Sequence, residues 1–167
     1  NGIESPLRNS VLLDEFIKYY ESNSKKIKDE KSVRREMLTL KSFISYNGYG
    51  KRKLATFRTI DVQDYVEFRL KYKKADGNHL SPNTVLLDIR NLKVMFNFGI
   101  KYMYIERDPM IGVRGPKPLK KKIRFLTEDE IRDLLQSIDR DNFRNLIATY
   151  LYTGARRDEL LPPSFTW

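Results

Sequence analysis

The chain has 167 residues, of which 40% are hydrophobic, and this is enough for one domain or two small ones around a packed core. It contains no cysteine, which excludes disulfides, thiolate zinc sites and a cysteine nucleophile and fits a reducing cytoplasm. No apolar run approaches the roughly 18–20 residues of a membrane span, and no signal peptide opens the chain, so we expect a cytoplasmic protein without a membrane partner.

Positive charge is concentrated in the first part of the chain. The formal net charge is +10, and residues 1–125 carry 27 basic and 14 acidic groups, whereas residues 126–167 carry 5 basic and 8 acidic groups. This excess favours a polyanionic partner for the first part. A basic soluble protein without such a partner remains the alternative.

Apolar residues at helical spacing predict two helices in the first fifty residues. The first follows Ser10, a candidate N-cap, and its pattern breaks at Ser22–Ser24. The second begins near Lys31-Ser32 and stops at Asn47-Gly48. The polar side of this second helix carries three cations: Arg34, Arg35 and Lys41.

Two further helices are predicted before residue 104. Asp61, with Asp64 three residues on, opens the first of them, which ends at Lys71–Lys74. Ser81, a cap followed by Pro82 at the first helical position, opens the second, whose apolar face continues for about five turns. Four helices with short connectors predict a small bundle.

The segment after this bundle has a different composition. Proline and glycine recur in Pro109–Pro118, and no acidic residue occurs between Pro109 and Thr127. We therefore predict a basic linker with a flexible hinge at Gly112–Lys122. Ile123–Leu126 is compatible with a short strand.

Two more helices are predicted beyond the linker. Thr127 and Glu130 form a capping box in front of an amphipathic pattern. The helix that follows ends near Gly154.

Three kinds of site are not favoured by the sequence. His79 is the single histidine and has no second His or Cys for a metal site. Gly48 and Gly50 precede no strand-to-helix turn of a phosphate-binding loop. The ten Tyr and nine Phe fall mostly on apolar faces, which favours core packing over base stacking.

One segment, Thr153–Leu161, combines the features of a phosphate site. A glycine ends one helix and the next begins at once, which brings Arg156 to a helix N-terminus with Glu159 three residues on. Backbone N–H groups and a guanidinium would converge there on one phosphate, and Glu159 would orient Arg156. These features alone favour the alternative, an ordinary exposed ion pair.

Thr153–Leu161 also resembles the first conserved box of the tyrosine recombinases, or phage-type integrases, usually written T-G-x-R-x-x-E-L. The resemblance extends upstream in order. The segment from Ser81 to Pro109 resembles the last long helix of their core-binding domain, and Phe125–Ile131 resembles the opening of their catalytic domain. Lys31–Phe43 is similar, more weakly, to the helix that begins the DNA-facing side of that bundle.

The resemblance implies a site-specific recombinase that serves DNA integration by a mobile element. In this family a tyrosine attacks a DNA phosphate and forms a 3′-phosphotyrosyl link, which a 5′-hydroxyl displaces, without a metal or nucleotide cofactor. Arg156 matches the first catalytic arginine, which would clamp the non-bridging phosphate oxygens. Glu159 matches the acidic residue that supports this region, and by the spacing of the box Arg157 is not the catalytic residue. The family also implies self-association on DNA in the full-length protein.

The chain departs from the family pattern after Leu161, at Pro162–Trp167. No residue matches the later basic residue of the β-hairpin, the H-x-x-R box or the tyrosine nucleophile, since Tyr150 and Tyr152 precede the arginine box. We therefore expect a truncated catalytic domain that completes no reaction by itself.

The predicted fold class is mainly α. A four-helix SAM-like core-binding bundle at 1–111 is followed by a basic linker at 112–124 and, at 125–167, by the first helices of a truncated α+β catalytic domain, with the short strand left open. Duplex DNA is the predicted partner. The predicted contacts are polar and basic residues of the bundle and linker: Arg34, Arg35, Lys41, Asn83, Thr84, Arg90, Lys93, Lys117, Lys120, Lys121 and Lys122. The alternatives are a non-catalytic DNA-binding regulator and a helical protein-interaction module.

Overall fold

The computed structural model describes residues 10–119 and 123–160, and the chain divides into two compact units, Asn1–Lys120 and Lys121–Trp167. The described part of the first unit contains four α-helices: α1 (Leu13–Ile27), α2 (Glu30–Ser45), α3 (Thr59–Lys71) and α4 (Pro82–Lys101). That of the second contains three: α5 (Glu128–Gln136), α6 (Asp141–Thr153) and α7 (Arg157–Leu160). The mainly α fold class predicted from the sequence is confirmed.

The ends of α1 differ from the predicted ones. Leu12, not Ser10, is the N-cap, and its N–H donates to the Glu15 carboxylate at 3.3 Å. The helix also continues through Ser24, at which the pattern was predicted to break. Ser24 is 3% exposed, so its small side chain belongs to the buried side of α1, and the helix runs on to Ile27.

Short-range capping sets the starts of α3 and α4. Asp61 is the third residue of α3 rather than its first, and its carboxylate accepts the Arg58 N–H at 2.8 Å. The predicted start of α4 is confirmed, because Ser81 Oγ accepts the Thr84 N–H at 3.1 Å and Pro82 occupies the first turn.

Phe43 of α2 lies at the centre of the core of the first unit. Its ring is fully buried, and its centroid lies 5.0–6.1 Å from those of four other rings: Tyr49, Phe57, Tyr65 and Phe96. Two of these rings come from the connection between α2 and α3, which Asn47 and Gly48 turn back with φ angles of 46° and 68°. The aromatic residues of this cluster therefore pack three helices together, as the sequence predicted.

A buried polar network joins α2, α3 and α4. Asp88 is 4% exposed, and its carboxylate accepts hydrogen bonds from Thr39 Oγ1 and Arg69 Nε, both at 2.8 Å. Asn91 Nδ2 donates to Thr39 Oγ1 at 3.0 Å, and Arg69 Nη1 donates to Ser42 Oγ at 3.3 Å. A carboxylate is tolerated at such depth only when it is paired and hydrogen-bonded. These five side chains therefore determine how α4 sits against α2 and α3.

The first residues after α4 still pack against the bundle. Pro109 and Met110 are buried, and Val113 contacts the same core. Pro109 and Met110 fall inside the predicted bundle at 1–111, whereas Val113 lies in the linker predicted at 112–124 and was not expected to pack against the core. The apolar residues here are few and follow no helical or strand period, so periodicity carried no signal for their burial.

The second unit shows both predicted local signals. The Thr127 Oγ1 accepts the Glu130 N–H at 3.2 Å while the Glu130 carboxylate accepts the Thr127 N–H at 2.9 Å, which confirms the capping box. α6 ends at Gly154, with φ 64°. The strand considered at Ile123–Leu126 is not formed, because no described residue supplies a neighbouring strand for its backbone.

Removal of the Asp88 carboxylate tests the network. Asp88→Ala should lower the free energy of unfolding of the first unit by about 3 kcal/mol, because it leaves the largely buried Arg69 without its partner. Urea denaturation followed by circular dichroism measures this. Asn97→Ala, an exposed change on the same helix, should cost less than about 1 kcal/mol. Equal losses for the two variants would contradict the role given to Asp88.

Candidate nucleic-acid interface and phosphate site

The predicted contacts on α2 all lie at its surface. Arg34, Arg35 and Lys41 are exposed, whereas Val33 and Met37 face the core. Arg34 and Lys41 are seven residues apart, which places them on one face of the helix, and they line a groove beside α1. The structure therefore brings two of the three predicted cations of α2 together.

Arg35 lies on the other side of α2, toward α4. It precedes Thr39 by one helical turn, and Thr39 is hydrogen-bonded to Asp88 and Asn91 of α4. We call the contact of Thr39 with these two residues the α2–α4 seam. Arg35 lies next to this seam.

α4 presents its predicted contacts on two sides. Asn83 and Arg90 are exposed and seven residues apart, so they share one stripe of the helix. Leu87 and Val94 lie on the same side and are 42% and 39% exposed, respectively, which leaves apolar surface between the polar groups. Lys93 is exposed one turn beyond Ile89, on the side against which the chain after α4 packs.

Thr84 is placed differently from the other predicted contacts. Its side chain is half-buried, and its hydroxyl shares a hydrogen bond of 2.9 Å with Ser81 Oγ. The structure thus assigns Thr84 a part in the N-cap of α4. Its neighbour Asn83 remains exposed.

The predicted basic contacts belong to the cations of the bundle that have no ion-pair partner among the described residues, whereas four other cations are paired. Arg34, Arg35, Lys41, Arg90, Lys93 and Lys117 form no ion pair with a residue of the ranges 10–119 and 123–160. Lys25, Lys28, Arg52 and Arg69 pair with Glu21, Glu36, Asp61 and Asp88, respectively. A cation without an acidic partner binds a phosphate without first breaking an ion pair.

The linker is described in part. Lys117 is exposed, whereas Lys120, Lys121 and Lys122 lie outside the described residues. Arg124, the next cation of the acid-free run, forms an ion pair with Glu130 at the start of α5.

The arginine box shows the predicted break between two helices, and Arg156 and Glu159 form an exposed ion pair there. Gly154 ends α6, and Arg156 stands directly before α7, where its N–H donates to Glu159 Oε2 at 2.7 Å. The Arg156 guanidinium also approaches Glu159 Oε1 at 3.4 Å. The guanidinium is 88% exposed, so Glu159 restrains the arginine while its donors stay open to solvent. This arrangement is able to bind an anion through charge-assisted hydrogen bonds.

Three arginines whose positions the sequence did not predict lie in the buried network or at a pocket: Arg69, Arg58 and Arg107. Arg69 belongs to the buried network rather than to a basic surface, and its partner Asp88 is the signal, because it is the one acidic residue on the apolar face of α4. Arg58 and Arg107 line a shallow pocket at the start of α3, and they are far apart in the sequence.

The described ranges contain neither a candidate metal site nor a candidate membrane span. No group of three or more His, Cys, Asp or Glu side chains is placed there to hold a metal ion. No described helix combines the length and the apolar character needed to cross a membrane.

Comparison with protein families finds one matching model. The phage integrase SAM-like domain matches residues 12–114, which span α1 to α4 and the segment packed after α4. The match therefore covers more than half of the chain.

Similar proteins and structures agree with this match. The chain is 28% identical over 135 residues to the tyrosine recombinase XerC of Staphylococcus epidermidis, a match that covers 74% of this chain and 44% of XerC. It is 29% identical over 126 residues to a tyrosine recombinase of Thermosipho africanus, with 72% and 42% covered. The chain thus spans less than half the length of these relatives.

A solved structure has a similar fold over part of the chain. It is the crystal structure of the N-terminal domain of a phage integrase/site-specific recombinase from Haloarcula marismortui. The TM-score is 0.54 at 18% identity, and the match covers 64% of this chain and 98% of that domain.

Proposed function

Since the chain belongs to the phage integrase SAM-like family of tyrosine recombinases, we propose that it binds duplex DNA through residues 1–111 and the linker 112–124. Residues 125–167 would then open the catalytic domain. The proposed role is to hold a DNA site for breakage and rejoining by a site-specific recombinase that acts in DNA integration.

The main support is the position of exposed cations on both sides of the α2–α4 seam. Arg35 lies beside the seam on α2, and Arg90 lies on the exposed stripe of α4. Neither has an acidic partner among the described residues. Two helices held rigidly side by side would present these groups at a constant spacing, which suits the regular spacing of phosphates along a duplex.

In the second unit we propose that Arg156 binds the phosphate at which strand exchange occurs. Its guanidinium would donate hydrogen bonds to the non-bridging oxygens and stabilise the charge that builds up around phosphorus. Glu159 would act as a positioning residue, because it accepts both the backbone N–H and the guanidinium of Arg156. Neither step requires a metal or nucleotide cofactor. Self-association on DNA and a cytoplasmic location belong to the same proposal.

Salt dependence tests the proposed interface. If about 5–8 phosphates are neutralised, the logarithm of the association constant should fall with the logarithm of salt concentration with a slope of about −4 to −7. Fluorescence anisotropy with a labelled duplex between about 50 and 200 mM salt measures this slope. A slope near zero, or no binding at the lowest salt, would favour a protein-interaction module instead.

Charge removal at single sites locates the interface. Arg35→Gln and Arg90→Gln should each reduce the magnitude of the slope by about one, because each removes one phosphate contact. Lys26→Gln removes the same charge from the exposed side of α1, outside the proposed interface, and should leave the slope unchanged. If all three variants behave alike, net charge rather than the α2–α4 surface governs binding.

Covalent chemistry separates a complete recombinase from a DNA-binding region. Phosphodiester exchange needs a nucleophile, charge stabilisation and a proton donor, and this chain would supply part of the second through Arg156. We predict that the 167-residue chain forms no 3′-phosphotyrosyl adduct with a nicked suicide substrate on a denaturing gel. An adduct that disappears in Tyr150→Phe or Tyr152→Phe would contradict the assignment.

A chain that also carries the H-x-x-R box and the tyrosine nucleophile provides the positive control. It should form the adduct, and Arg156→Ala in that chain should reduce adduct formation about 10²-fold, which is the scale of losing one contact to transition-state charge. Adduct formation at an unchanged rate in Arg156→Ala would show that this arginine does not bind the reacting phosphate.

A further inference from the structure

Two residues of α3 hold the backbone of the chain after α4. Thr59 Oγ1 donates to the Ile111 carbonyl at 2.9 Å. One turn further along α3, Gln63 Oε1 accepts the Arg114 N–H at 2.9 Å, and Gln63 Nε2 approaches the Arg114 carbonyl at 3.4 Å. The side-chain amide therefore pairs with both backbone groups of one residue, much as a residue of a neighbouring antiparallel β-strand would.

The segment between these two contacts is also shaped to fit. Gly112 has φ 83°, a left-handed conformation that other residues rarely adopt, and the Val113 side chain between the contacts packs against the core. Beyond Arg114 the backbone passes very close to α4. A Cβ atom on Gly115 would lie 2.8 Å from Leu86 Cδ2 and 3.0 Å from Ile89 Cδ1.

We propose that Thr59 and Gln63 form a latch that sets the point at which the linker leaves the DNA-binding bundle. The free part of the linker then begins after Gly115 rather than at Gly112. The backbone of Arg114 is held at the surface of α3, and the residue is exposed. This inference rests on the proposed DNA binding only for its functional consequence.

The latch reduces the number of linker residues that are free of the bundle and able to contact a bound duplex. Twelve residues lead from Gly115 to Thr127, the N-cap of α5, whereas fifteen lead there from Gly112. The effective concentration of one tethered site near another falls roughly as the −3/2 power of the linker length, so release of the latch lowers it about 1.4-fold. Thr59 and Gln63 are thus positioning residues for DNA binding, without contact to DNA themselves.

Trypsin provides a direct measurement on the whole chain without DNA. Trypsin cuts after Arg114 only when the backbone there leaves the bundle, so the latch should protect the Arg114–Gly115 bond. Gln63→Ala should raise the cleavage rate at this bond about 3- to 10-fold, the scale of losing one hydrogen bond, relative to cleavage after the exposed Arg124. Mass spectrometry of the new termini measures both rates.

Matched variants exclude a general loss of stability. Gln136→Ala, the same change on α5, should leave the relative rate unchanged, and the urea midpoint of the first unit should fall in Gln63→Ala by no more than the loss of one hydrogen bond accounts for, so that the unit stays folded. Gln63→Glu keeps the acceptor for the Arg114 N–H and should retain most of the protection. Thr59→Val removes the other contact with little change of shape and should also raise cleavage after Arg114. Unchanged cleavage in both Gln63→Ala and Thr59→Val would overturn the latch.

DNA binding is then measured separately. Gln63→Ala should weaken duplex binding about 1.4-fold while Gln136→Ala does not. If the unaltered chain fails to bind DNA but Gln63→Ala still raises cleavage, the proposed function fails and the latch stands. If DNA binds and cleavage is unchanged in both latch variants, the latch fails and the proposed function stands.

Discussion

A carboxylate buried between helices needs hydrogen-bond donors, and Asp88 obtains them from two other helices. Thr39 of α2 and Arg69 of α3 each donate at 2.8 Å, and Asn91 completes the contact with α2. Helices that contact through apolar side chains alone can pack in many arrangements of similar free energy. A buried charge has its hydrogen-bond donors in only a few of these arrangements. The arrangement of α2 and α4, and with it the spacing of any groups on their outer faces, depends on this interaction.

The pairing of acids in the first unit also shapes its outer charge. Glu36, Asp61 and Asp88 are each held in an ion pair with a partly buried cation. Most of the cations that remain at the surface of α2 and α4 therefore face solvent without a compensating acid among the described residues. The excess positive charge of the first unit therefore lies at its surface and is not neutralised by ion pairs. Such a surface produces a positive potential that acts on a polyanion over a distance of about a Debye length.

Local signals in the sequence were sufficient for the starts of α4 and α5, whereas α1 and α3 begin at other residues than predicted. Ser81 with Pro82, and Thr127 with Glu130, act within one turn, so spacing alone predicts them. Asp88 could not be predicted in this way, because Thr39 lies 49 residues away. The same holds for Gln63, which is 51 residues from Arg114. At the candidate sites the sequence predicted which cations are exposed but not which share a surface, and Thr84 belongs to a cap.

The Asp88 network has a consequence for exchanging parts between relatives. Specificity in such a bundle would naturally be altered by transplanting α2 or α4 from another member of the family. A transplanted α4 that carries an apolar residue in place of Asp88 would leave the largely buried Arg69 without its ion-pair partner. A transplanted α2 without Thr39 would remove one of the hydrogen-bond donors to the Asp88 carboxylate. The residues at positions 39, 69, 88 and 91 are energetically coupled, so a chimera that folds must take all four of them from the same protein.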